Sequence, residues 1–94
     1  MLGLAQRAGK LASGEDKALQ AIQSRKSHLV IVAKDASVNT YKKFNDKCTY
    51  YEVPLIHGYD RQSLGHATGK VERVVISVND RGFAEAMLRA ENRV

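Results

Sequence analysis

Two Gly-Lys pairs, three histidines, one cysteine and a scatter of carboxylates are the groups from which this chain could build chemistry. Gly9-Lys10 invites a phosphate-binding loop. That loop needs a glycine five positions earlier, where Leu4 stands, and Ser or Thr after the lysine, where Leu11 stands. Gly69-Lys70 fails in the same way, with Leu64 and Val71 at those positions. His28, His57 and His66 are not spaced as i, i+4 partners, so no metal site of recognised spacing is expected. Cys48 follows Lys47 but falls on the apolar side of a helical pattern, which suits a small buried hydrophobe. The acids lie among basic residues without a paired-carboxylate arrangement. No catalytic group, cofactor or metal is therefore expected, and the chain reads as a non-enzyme.

The stretch from Ala8 to Ile22, AGKLASGEDKALQAI, holds what remains. It places Ser-Gly-Glu-Asp-Lys where a helix should start. Ser13 reads as the N-cap, with Asp16 three residues on as the acidic half of a capping box. A helix front presents free N–H groups and positive potential, which suits phosphates and the acceptors on base edges. Gly14 lacks a side chain, so a partner's backbone could approach closely. Lys17 can donate to guanine O6 and N7, and Gln20 can donate or accept at a base edge. Asp16, Lys17, Gln20 and Ser24 fall on the polar side of this helix, and Ala18, Leu19, Ala21 and Ile22 on the apolar side.

The elements that must hold this front can be read on either side of it. Leu2 to Arg7 reads as a short helix stopped near Gly9, and Leu11–Ala12 as a brief extended piece. Leu29 to Ala33 is a continuous apolar run suited to a strand buried on both faces. Ser37 or Asn39 caps a helix carrying Tyr41, Phe44 and Cys48 on one face. YYEVPL reads as a strand, with Pro54 at its end or on a sheet edge because it lacks an N–H. Asp60 starts a helix with Leu64 and Ala67 inward, ended by Gly69. Arg73 to Val78 is a further strand, and the last helix packs Phe83, Ala84, Met87 and Leu88. Alternating strands and helices imply helices on both faces of a sheet. The expected fold is α/β: a three-layer α/β/α sandwich with a mixed sheet of about four strands.

The 94 residues make one domain, 1–94, of a size that buries roughly 60–65% of the surface its unfolded form exposes. One cysteine permits no intrachain disulfide, in keeping with a reducing cytoplasm. No apolar run approaches the ~18 residues of a membrane span. The basic residues of MLGLAQRAGK follow its apolar ones, the reverse of a signal peptide. Fifteen Lys and Arg against ten Asp and Glu give a formal net charge of +5, a field that attracts polyanions.

The segments LGLAQRAGKLASGE, LVIVAKDAS, KCTYYEVPLIHGYDRQSLGHATGK and ERVVISVND, in this order, resemble the ribosomal protein L-seven-Ae family, and in particular its short bacterial YlxQ-type branch. The resemblance covers essentially the whole chain. It implies a sandwich that binds kink-turn RNA, a bent helix–internal loop–helix element with tandem sheared G·A pairs. The family's recognition pattern, Gly-x-Asn-Glu-x-x-Lys, falls on Gly14, Asp16, Lys17 and Gln20. Gly14 matches. Asp16 stands for asparagine, Lys17 for glutamate and Gln20 for lysine. Ionised Asp16 cannot donate as asparagine does, and Lys17 cannot accept as glutamate does. A small change of register would let Glu15 or Asp16 accept and Lys17 donate.

Two further contact regions follow from the resemblance. In DASVNT, Thr40 lies where the family often has an aliphatic contact residue. In GKVER, a loop the family uses to cover a flipped-out base, Arg73 matches a basic position. That loop is one residue longer than the archaeal pattern, so Lys70 and Val71 share one assignment. If the strand from Arg73 runs antiparallel to that from Leu29, GKVER borders KDASVNT and the Gly14 helix. The result is one basic rim of Lys10, Lys17, Lys34, Lys70 and Arg73. Shape and unpaired bases are what proteins usually read in RNA. An aromatic stacking platform is not expected, because Tyr41, Phe44, Tyr50, Tyr51 and Phe83 mostly sit on core faces, with Tyr59 a loop packing residue. The expected function is recognition of structured RNA, a kink-turn in ribosomal or other cellular RNA, by a cytoplasmic monomer. The alternative is a protein-interaction module that kept the fold and lost kink-turn specificity.

Overall fold

A computed structural model of the chain describes residues 2–69 and 72–91. The elements run α1 (Leu2–Arg7), β1 (Leu11–Ser13), α2 (Glu15–Gln23), β2 (Leu29–Val32), α3 (Val38–Tyr51), β3 (Leu55–His57), α4 (Arg61–Ala67), β4 (Val75–Val78) and α5 (Arg81–Glu91). The four strands form one sheet in the order β1-β4-β2-β3. β4 is antiparallel to both β1 and β2, and β2 is parallel to β3, so the sheet is mixed as expected.

The central strands are those with unbroken apolar runs. Every residue of β2 is buried, as is every residue of β4. Alternation along each strand then divides the core in two. Leu29, Ile31, Ile76 and Val78 face α1, α4 and α5, meeting Leu64, Ala84 and Met87. Val30, Val32 and Val75 face α2 and α3, meeting Ala18, Ile22, Phe44 and Cys48. This is the three-layer α/β/α sandwich. Ser77 is the one polar residue in the central strands. Its Oγ lies 2.7 Å from Ser27 Oγ and 2.6 Å from Asn79 Oδ1. These partners satisfy the hydroxyl inside the core, and Ser27 Oγ in turn donates to Leu29 O (3.4 Å).

Three expectations are corrected. Ser13 does not cap α2; it is the last residue of β1, and Gly14 is the N-cap, with no side-chain cap bond. Gly14 has φ +101° and ψ 157°, a conformation essentially reserved for glycine, so the chain turns from strand to helix through backbone freedom instead of a hydroxyl cap. The segment YYEVPL is not a strand from its first tyrosine. α3 continues through Tyr51 because Cys48 and Tyr51 still pack on the sheet, and the helix ends only at Glu52 with φ 58°. Pro54 immediately precedes β3, an edge strand, where its missing N–H costs nothing, and its carbonyl accepts from Val30 N. Tyr50, expected on a core face, is 78% exposed. The other capped helices stand as read. Ser37 Oγ accepts from Thr40 N, and Asp60 Oδ1 accepts from Ser63 N.

Candidate functional site

Sheet register decides which loops meet. Ser13 pairs with Ile76 and Val32 with Val75, so the end of β1, the start of β4 and the end of β2 lie side by side. Val32 also pairs with His57, which adds the end of β3. The turns carrying Gly14, residues 33–37, residues 58–60 and residues 72–74 therefore share one end of the sheet. Main-chain bonds tie them together. Gly14 N donates to Val75 O (2.9 Å), Ala33 N to Val74 O (2.8 Å), Lys34 N to Tyr59 O (2.7 Å) and Arg73 N to Arg61 O (3.0 Å).

The front of α2 stands at this end. Ala18 N closes the first helical bond, to Gly14 O, and Gly14's own N–H is taken by Val75. Among the described residues, the N–H groups of Glu15, Asp16 and Lys17 are then the donors that a helix start leaves without a helical or side-chain cap partner. α3, α4 and α5 each take a side-chain acceptor at the same place, from Ser37, Asp60 and Asp80. Gly14 supplies none to α2. Glu15, Asp16, Lys17 and Gln20 are all exposed. At about 100° per residue, Glu15 stands far round the helix from Lys17, while Gln20 and Lys17 share a side.

The remaining expected site residues divide. Lys34 is exposed and Arg73 half-buried at the Gly14 end. The Arg73 guanidinium turns back on its own chain, with Nη1 donating to Glu72 O. Its Nε is buried with no partner among the described residues. Thr40 lies half-buried in the first turn of α3, and its hydroxyl accepts from Ser37 Oγ. Lys70 and Val71 lie outside the described residues. Lys10 is not part of this rim. Leu11 pairs with Val78, and Asn79 N donates to Lys10 O, which puts Lys10 at the opposite end of the sheet, beyond the ~10 Å length of β1. Nor are the described residues of the rim uniformly basic. Lys17, Lys34, Arg61 and Arg73 stand among Glu15, Asp16, Asp35, Asp60 and Glu72, four cations to five carboxylates.

Arg61 is the residue that sequence reasoning missed. Its backbone N donates to Asp35 Oδ1 (2.9 Å), its Nη2 to Asp35 O (2.7 Å), and its Nε lies 3.5 Å from Asp35 Oδ2. Nη1 lies 3.8 Å from Glu72 Oε1. One side chain thus joins the β2–α3 loop, the start of α4 and the segment before β4. No local spacing announces it, because its partners stand 26 positions before and 11 after it; only the sheet register brings them together. His57 and Tyr41 also stack at this end, with ring centroids 4.2 Å apart. Asp60 keeps its carboxyl below the ordinary range because Ser63 N–H bonds it, with Lys34 assisting.

Residues 1–88 match the ribosomal protein L7Ae/L30e/S12e/Gadd45 family. The chain belongs to that family. Among relatives within it, a Bacillus subtilis protein called RNA-binding protein YlxQ is 47% identical over 94% of this chain and 88% of its own length. An Enterococcus faecium protein of the same name is 44% identical over 90% of this chain and 82% of its own length. A Bacillus halodurans protein of known structure superposes with a TM-score of 0.94 at 43% identity, covering 98% of this chain and 93% of that one. The Giardia lamblia 15.5kD RNA binding protein shares the fold, with a TM-score of 0.84 at 22% identity over 96% of this chain and 79% of that one. The family membership thus extends over the elements that build the Gly14 end.

Proposed function

We propose that this chain is a non-enzymatic RNA-binding protein that docks the front of α2 on a kink-turn, in ribosomal or another cellular RNA of the cytoplasm, as a monomer. The observation that carries the reading is the start of α2. Gly14 opens the helix without a side-chain cap, among four converging loops, and leaves three backbone donors for acceptors on an RNA. Family membership and two relatives named as RNA-binding proteins support the same conclusion. In this reading Gly14 admits close approach of the RNA backbone. Lys17 donates to a guanine edge, Gln20 donates beside it, and Glu15 or Asp16 accepts from an exocyclic amine. Thr40 offers its methyl group to an unstacked base, and Arg73, with Lys70 or Val71, covers it. Lys34 contacts phosphate. Arg61 holds the loops in register and contributes through them.

The test is calorimetric titration of the protein with a standard kink-turn RNA, against the same RNA with its G·A pairs changed to Watson–Crick pairs. Tight binding to the first and its loss with the second is expected. Lys17→Glu and Arg73→Ala should each weaken binding while leaving the circular dichroism spectrum unchanged. Full binding by both variants would sink the site assignment.

The interleaved carboxylates of the rim favour one second reading, a protein-interaction module that kept the fold. Weak and equal binding to both RNAs would select it.

A further inference from the structure

Among the described residues, the excess of positive charge does not lie at the Gly14 end. Among the described residues, the connecting segments at the Lys10 end carry Lys10, Arg25 and Lys26 against Glu52 and Asp80, with Arg7 and the Glu85-paired Arg81 at the adjoining helix ends. Between the two ends runs a groove of about 390 Å³. Its walls are the outer edge of β1, with Leu11 and Ala12, and the side of α2 that carries Lys17 and Gln20; Lys26 and Asn79 close its far end. Among the described residues no carboxylate lines it. Arg25 is turned away from it, over the ring of Tyr51 at 5.3 Å.

We infer that this groove is a track for the sugar-phosphate backbone of an RNA stem, leading from the Gly14 end to Lys10 and Lys26. The inference rests on the RNA-binding reading and extends it to a second region. Its donors suit phosphate. Lys17 and Lys26 stand at the two ends of the groove, and Lys10 stands next to Asn79, whose N–H is bonded to the Lys10 carbonyl at 2.7 Å. Asn79 uses its Oδ1 on Ser77 Oγ, which leaves Nδ2 as its donor toward the groove. The length fits a strand. From Lys17 to its last residue, Gln23, α2 runs roughly 9 Å at 1.5 Å per residue, and Lys26 stands beyond that end. That is the length of about three nucleotides along a stacked strand. Lys10, which the register removes from the rim, thereby gains a role at the far end of the same footprint.

The experiment compares the wild-type protein with Lys10→Ala/Lys26→Ala, two exposed side chains whose loss leaves the core intact. Affinity for a kink-turn RNA with long stems is measured across a salt series. The series is repeated with each stem cut back in turn and with the Watson–Crick control. Each lysine that neutralises a phosphate contributes close to one unit to the slope of log K against log salt, so the double variant should flatten that slope by about 2. Its preference for the kink-turn over the control should be unchanged. Cutting back the stem that occupies the groove should erase the difference between variant and wild type. An unchanged slope, with wild-type kink-turn preference intact, overturns the groove and leaves the proposed function standing. A flattened slope without any preference for the kink-turn keeps the groove and overturns kink-turn reading. A wild-type protein that binds none of these RNAs overturns both.

Discussion

Replacing Gly14 with alanine isolates the device that starts α2. The residue sits at φ +101°, ψ 157°, where an L side chain is strained, yet a Cβ built there meets nothing within 4 Å. The penalty is therefore backbone strain, about 1–3 kcal/mol for this region. Alanine also stiffens the unfolded chain, which offsets about 0.4–1 kcal/mol. A net loss of roughly 1–2 kcal/mol follows. In a domain of this size each kcal/mol moves the melting temperature by about 4–8 °C, so a drop of roughly 5–15 °C is expected. The assay is urea and thermal unfolding followed by far-ultraviolet circular dichroism. Gly3→Ala is the internal control. Gly3 lies in α1, its added Cβ also meets nothing within 4 Å, and its φ is not in the left-handed region. That change should raise stability by up to ~1 kcal/mol, because alanine is the better helix former. Opposite signs for two glycine-to-alanine changes in empty surroundings can come only from the backbone. A Gly14→Ala protein as stable as the wild type would refute the claim that this φ is what starts the helix.

Three other outcomes are expected. Phe44→Ala should cost about 3–5 kcal/mol in urea unfolding, since Phe44 is fully buried between α3 and the sheet. Ser37→Ala removes the acceptor for Thr40 N and should cost about 0.5–2 kcal/mol, measured the same way. Burial pushes the Cys48 thiol up to about 11. Its contribution is full while the unfolded thiol is also protonated, below pH ~8.5, and is lost as pH rises through about 11. Stability should decline across that window less steeply in Cys48→Ala, and a thiol reagent should label the native protein at pH 8 only at the rate of unfolding.

The fold was legible where burial dictates residue type. LVIV and VISV mark central strands because both faces of each are covered, and the paired acceptors Ser37 and Asp60 mark helix starts that the structure keeps. The misread places are those where tertiary packing overrides local preference. Tyr50-Tyr51 carries strand-forming residues, but the helix runs on because Tyr51 has a sheet to pack against. Ser13 has the right type for a cap, yet strand pairing with Ile76 claims it first. At the candidate site, the front of α2 was legible because Gly14 and its neighbours are contiguous. The placement of Lys10 was not, because it depends on the direction of a three-residue strand. The Arg61 cluster was not legible either, since Asp35 and Glu72 reach it only through the register of β2 and β4.

The four loops at the Gly14 end are joined to one another by main-chain N–H and carbonyl groups. Such bonds do not depend on which side chains the loops carry. Asp16, Lys17 and Gln20 can therefore be exchanged without loosening the frame on which they stand. A protein built this way can change its target by point substitution while each reader keeps its position, and a library varied at these three positions would sample recognition on a fixed scaffold. The platform behaves like a type case: the slots are set by the backbone, and the letters are free.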